Sequence, residues 1–162
     1  MLIKLPYKLP GKIFRSPMPF SRFDKQAVWP SFQEQDIGLV VVLTEQQEYL
    51  VYAGRDLPAF YRSHGMEALH IPVPDFGIPE DLESWQNGLE AAASAARSGK
   101  NVAIHCLAGI GRTGAFLACL AKKNLGLDGR DAINWVRESV PGAMESWIQE
   151  DFVINYQFDQ TG

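Results

Sequence analysis

The chain has 162 residues, enough for one hydrophobic core, with 46% hydrophobic and 21% charged residues and a formal net charge of −4. An acidic chain of ordinary globular composition argues against a general nucleic-acid binder, which needs a basic face. No stretch approaches the roughly 18 apolar residues of a membrane span, and the proline-rich N-terminus lacks the continuous apolar segment of a signal peptide.

Taken in chain order, "KIFRS" (12–16) is a short strand candidate and "SFQEQDI" (31–37) a short helix. "GLVVVLT" (38–44) is a run of β-branched apolar residues, the pattern of a strand buried on both faces. "EQQEYLVYAG" and "DLPAFYRSHG" predict helices stopped by Gly54 and Gly65. "MEALHIPV" (66–73) is a second buried strand. The segment 80–98 is helical, with Leu82, Trp85, Leu89, Ala92, Ala93 and Ala96 near one face and Glu80 and Asp81 at its positive end. "NVAIH" (101–105) is a third strand. Helices are then expected from Arg112 to about Asn124, over 128–140 and over 146–158.

Strands alternating with helices predict an α/β fold, a mostly parallel sheet covered by helices on both faces. Strand 66–73, helix 80–98 and strand 101–105 form a crossover, so the two strands are expected to be parallel. Their C-terminal ends then share one edge of the sheet, the edge where open α/β sheets hold ligands. Loops 74–79 and 106–112 should face one pocket.

The stretch "HCLAGIGRTG" (105–114) concentrates the chemistry. Cys106 ends a strand, and the glycine-rich turn after it can point successive backbone N–H groups inward as an anion-binding nest. The next helix adds its N-terminal N–H groups, and together these favour the thiolate. Gly109 and Gly111 permit close backbone approach, and Arg112 offers a planar fork of donors suited to two phosphate oxygens. A nucleophile inside an anion cradle implies attack on phosphorus. His64, His70 and His105 lack metal-ligand spacing, so no metal or other cofactor is expected. Cys106 and Cys119 suit reduced, cytoplasmic usage, with Cys119 read as core packing. Arg15 is read as an exposed arginine in preference to one near the pocket.

The same string resembles the signature of cysteine-dependent protein tyrosine phosphatases: His-Cys, five residues, Arg, then Thr or Ser. The length is similar to that of the small dual-specificity type, especially compact bacterial and archaeal members. "FRSPMP" (14–19), "VPDFGIP" (73–79) and "VRESVPGAMESWIQEDFV" (136–153) resemble its opening strand and turn, its general-acid loop and its Arg-x-x-Arg-Pro-Gly segment. The resemblance implies one catalytic domain over 1–162. It casts Cys106 as nucleophile, Asp75 as general acid and then base, and Arg112 with the backbone of Leu107, Ala108, Gly109, Ile110 and Gly111 as the phosphate site. His105 supports the loop, Thr113 stabilises the sulfur as it leaves the phosphoenzyme, and Gln149 positions the hydrolytic water. Glu80 and Asp81 are nearby alternatives for the acid, better explained as helix N-terminal charges.

The implied substrate is a phosphorylated protein, carrying phosphotyrosine and also phosphoserine or phosphothreonine, with a phosphate or oxyanion in the active site. No nucleic-acid or membrane partner is expected. Val140 replaces the second arginine of the Arg-x-x-Arg-Pro-Gly pattern while Arg137 keeps the first, and the neutral Leu107, Ala108 and Ile110 disfavour an inositol headgroup. Two alternatives stay open: a non-protein substrate (a phosphoinositide, an RNA 5′ end or a small metabolite) and a phosphoprotein-binding module without turnover.

Overall fold

A computed structural model describes residues 1–158; residues 159–162 of the expected 1–162 domain lie outside the described residues. Among the described residues, five strands form one sheet in the order β1-β2-β5-β3-β4. They are β1 (Ile3–Leu5), β2 (Ile13–Ser16), β3 (Ile37–Val42), β4 (Glu67–His70) and β5 (Asn101–His105). β2, β5, β3 and β4 run parallel, and β1 pairs antiparallel with β2. The expected parallel relation of the 66–73 and 101–105 strands therefore holds, with β3 lying between them.

Among the described residues, seven helices cover the sheet: α1 (Trp29–Glu34), α2 (Gln46–Tyr52), α3 (Leu57–Ser63), α4 (Leu82–Arg97), α5 (Gly111–Leu125), α6 (Gly129–Ser139) and α7 (Trp147–Asn155). Strand alternation divides the buried side chains between two cores. Leu39, Val41, Val102 and Ile104 pack with α4, α5 and α6 on one face; Val40, Val42 and Ala103 pack with α1, α2 and α3 on the other. Cys106 falls on the first face. His105, reaching Tyr61 of α3, falls on the second.

β4 is shorter than the expected 66–73, because Pro72 and Pro74 cannot donate to a ladder. The chain nonetheless stays alongside β3, with Ile71 N–H donating to Val42 O and Val73 N–H to Leu43 O. β1 carries only three residues of alternation and shows no sequence signal. The registers align Ser16, His105, Val42 and His70 in one row. The segments after β2, β5, β3 and β4 therefore leave the sheet along one edge.

Candidate active site

The loop after β5 is shaped from outside. Its carbonyls, taken in turn, are each claimed by a donor. Cys106 O accepts from His105 Nδ1 at 2.9 Å and Leu107 O from Met18 N–H at 2.9 Å. Ala108 O and Gly109 O accept from Arg15 Nη2 and Nε at 2.9 and 3.0 Å. Ile110 O accepts from Met144 N–H at 3.1 Å and Gly114 N–H at 3.0 Å. In a planar trans peptide the N–H opposes the C=O, so each outward carbonyl turns the following N–H inward. Residues 107–111 thus present their N–H groups to the concave side. Gly109 has φ +79°, and a Cβ there would stand 2.3 Å from Ser16 O. Only glycine fits both demands.

Arg112 follows on the first turn of α5, its side chain 1% exposed. Nη1 and Nη2 donate to the two oxygens of Glu48, each at 2.8 Å, a fork-to-fork pair. Nη1 also reaches Val73 O at 2.8 Å, and Nη2 reaches Asp75 Oδ1 at 3.1 Å. Burial works against the guanidinium's charge. The Glu48 hydrogen bonds and the charges of Cys106, Glu48 and Asp75 outweigh that and raise it above its ordinary value. Breaking such a buried pair from one side costs about 3–5 kcal/mol, since an unpaired charge remains inside.

Glu48 was not found by the sequence reading. It lies in the first turn of α2, where Glu45 N–H also donates to its Oε2 at 2.8 Å. The sequence shows an ordinary acidic helix start; only the sheet edge brings it to Arg112. Arg15 is a correction. It is half-buried behind the loop, holding two of the carbonyls, rather than an exposed arginine. Burial lowers its pKa, and the charge of Cys106 partly opposes that shift.

Asp75 sits on the loop between β4 and α4, its side chain 48% exposed. Its Oδ1 also accepts from Phe76 N–H at 3.0 Å. The loop is tied to α7: Ser146 Oγ donates to Phe76 O at 2.9 Å and Gln149 Nε2 to Gly77 O at 3.2 Å. Gln149 is fully buried, its Oε1 accepting from Glu145 N–H at 2.8 Å. Its amide borders the cradle, 3.1–3.2 Å from where a Cβ on Gly111 would stand.

Thr113 is buried, and its hydroxyl has no hydrogen-bond partner among the described residues. His105 is also buried, and burial pushes its pKa down to about 4. Cys119 is a free, buried thiol pushed up to about 12 by burial. Glu80 and Asp81 stand at the start of α4, where Asp81 Oδ1 caps the helix by accepting from Ser84 N–H.

Comparisons with known proteins agree with this geometry. A family model described as "Polymorphic toxin system, DSP-PTPase phosphatase" matches residues 21–124, more than half of the chain. The structure of Tk-PTP in the active form is 34% identical with a TM-score of 0.70, covering 87% of this chain and 88% of that one. Kinase associated phosphatase, with its catalytic cysteine replaced by serine, shares the fold at a TM-score of 0.83 and 20% identity, covering 94% and 91%. An uncharacterized protein of Methanocaldococcus jannaschii is 37% identical over 92 residues, 54% of this chain and 58% of that protein. Human dual specificity protein phosphatase CDC14A is 26% identical over 147 residues, 84% of this chain and 22% of that protein. The chain spans a little over half the length of the first curated relatives it matches. The family model spans the cysteine loop, and the chain belongs to the DSP-PTPase phosphatases.

Proposed function

We propose that the chain hydrolyses phosphomonoesters on proteins, phosphotyrosine first and phosphoserine or phosphothreonine as well, through a phosphocysteine on Cys106. The observation that carries this reading is the set of outward-bonded carbonyls from Cys106 to Ile110. These bonds support a reading in which the opposing N–H groups face the space beside Cys106, with Arg112 following on α5.

In the first step the Cys106 thiolate attacks phosphorus as the P–O bond to the leaving group breaks. Arg112 and the loop N–H groups hold the three equatorial oxygens, a preorganised electrostatic clamp. Asp75 gives its proton to the departing oxygen. In the second step water attacks the phosphocysteine. Its proton goes to Asp75, the P–S bond breaks, and Cys106 recovers its thiolate as inorganic phosphate forms. Gln149 orients the water, and Thr113 offers its unpartnered hydroxyl to the departing sulfur. The neutral Leu107, Ala108 and Ile110 favour a protein phosphoester over a multiply charged inositol headgroup.

The reading expects a bell-shaped pH profile of kcat/KM, because Cys106 must be ionised while Asp75 is protonated. Cys106→Ser should abolish phosphate release from an aryl phosphate, and Asp75→Ala should slow it by about 10²–10⁴-fold. Release by Cys106→Ser at the wild-type rate would refute the proposal.

A further inference from the structure

Beside the acid loop, between the start of α4 and α7, lies a cavity of about 780 Å³. This is within the range of about 300–1,000 Å³ usual for ligand sites. Ile78, Leu82 and Ile148 line it and are 36%, 54% and 40% exposed, and Phe152 lines it too. Such clustering of large apolar side chains at a surface marks an interaction site. Glu83 and Asp151 supply charge, and among the described residues no Lys, Arg or His lines the cavity. A phosphate-rich partner would meet only negative charge there. A chain with an apolar side chain and a nearby cation would be complemented on both counts.

The cavity shares its wall with the candidate active site. Ile78 follows Gly77, whose carbonyl accepts from Gln149, and Ile148 precedes Gln149 on α7. One hydrogen bond therefore joins the two segments that form both the cavity and the acid loop's support. The cavity therefore adjoins the loop that carries Asp75.

We propose that this groove receives the polypeptide beside the phosphorylated residue of the protein substrate. An apolar side chain seats among Ile78, Leu82 and Ile148, and a Lys or Arg faces Glu83 and Asp151. The proposal rests on the phosphatase reading and deepens it by naming the sequence that the site selects.

The test uses two phosphotyrosine peptides of equal length, one with Leu and Arg on both sides of the phosphotyrosine and the other with Ser and Glu. Both are assayed beside p-nitrophenyl phosphate with the wild type, a Glu83→Lys/Asp151→Lys variant and Leu82→Ser. The wild type should prefer the Leu/Arg peptide by roughly tenfold or more in kcat/KM. The variants should lose that preference through KM while keeping wild-type turnover of p-nitrophenyl phosphate. Wild type that leaves p-nitrophenyl phosphate intact overturns the phosphatase reading itself. Normal p-nitrophenyl phosphate turnover without peptide preference, or a preference that survives in variants with intact turnover, overturns the groove alone. So does a charge-reversal variant that changes the protein's mass in solution without altering the peptide ratio, since the groove would then bind a second copy.

Discussion

His105 is a neutral base whose tautomer is fixed by its two neighbours. A carbonyl oxygen only accepts, so Nδ1 carries the proton it gives to Cys106 O. Nε2 is then the acceptor for the Tyr61 hydroxyl at 2.8 Å. Protonating the ring would turn Nε2 into a donor and bury a positive charge in the core. The pKa of about 4, depressed mainly by burial, reflects that penalty. Because the unfolded histidine has its ordinary value near 6.5, the unfolded chain binds more protons between about pH 4 and 6.5. Stability therefore falls as the pH is lowered through that window, by a contribution on the order of 3 kcal/mol, and the loss levels off below it. Urea unfolding at pH 7 and pH 4 should show the wild type losing more stability than His105→Gln by about that amount. Equal losses in the two proteins would mean the ring does not carry the effect.

The acid loop and α7 behave as one element, because Ser146 and Gln149 hold the backbone of Phe76 and Gly77. Ser146 also caps α7, its Oγ accepting from Gln149 N–H at 3.3 Å. Removing the hydroxyl loosens both the cap and the loop, at a cost of about 1 kcal/mol in the helix. Ser146→Ala should slow turnover of an alkyl phosphate, which needs the proton from Asp75, by roughly tenfold. Turnover of p-nitrophenyl phosphate, with its good leaving group, should change much less. Equal slowing of both substrates would assign Ser146 to stability alone. The elements themselves were largely legible in the sequence. Asn101–His105 was readable to the residue, since an apolar run bounded by Gly99 and a glycine-rich turn leaves little freedom. Gly54 and Gly65 marked their helix ends by adopting φ of +68° and +81°. Contacts across the sheet edge were not legible. Arg15 meets Ala108 across 93 positions and Glu48 meets Arg112 across 64. Local spacing carries no record of which strands become neighbours. Gln149 was visible as a residue type, but its burial follows from how α7 packs on α5.

At the scale of the whole molecule, β5 is central, with β2 on one side and β3 on the other. Its loop is therefore reached from both flanks, by Arg15 from β2 and Glu48 from the segment after β3. The far N-terminal segment is part of the same assembly. Tyr7 packs against Trp135 with ring centroids 4.7 Å apart, and its hydroxyl donates to Leu117 O in α5. Tyr7→Phe should cost about 1 kcal/mol, read as a fall of about 2–4 °C in melting temperature. Aryl phosphate turnover should not change, and a loss of activity in a fully folded variant would contradict this placement. The contact between Asp75 and Arg112 has a further consequence. The loop carboxylate occupies a guanidinium nitrogen suited to an incoming phosphate oxygen, so the protein carries its own competitor for anions. Binding must displace that rival, and the displaced carboxylate becomes available to take up a proton. Asp75→Asn should accordingly bind inorganic phosphate more tightly than the wild type by calorimetry; weaker binding would show that Asp75 does not compete.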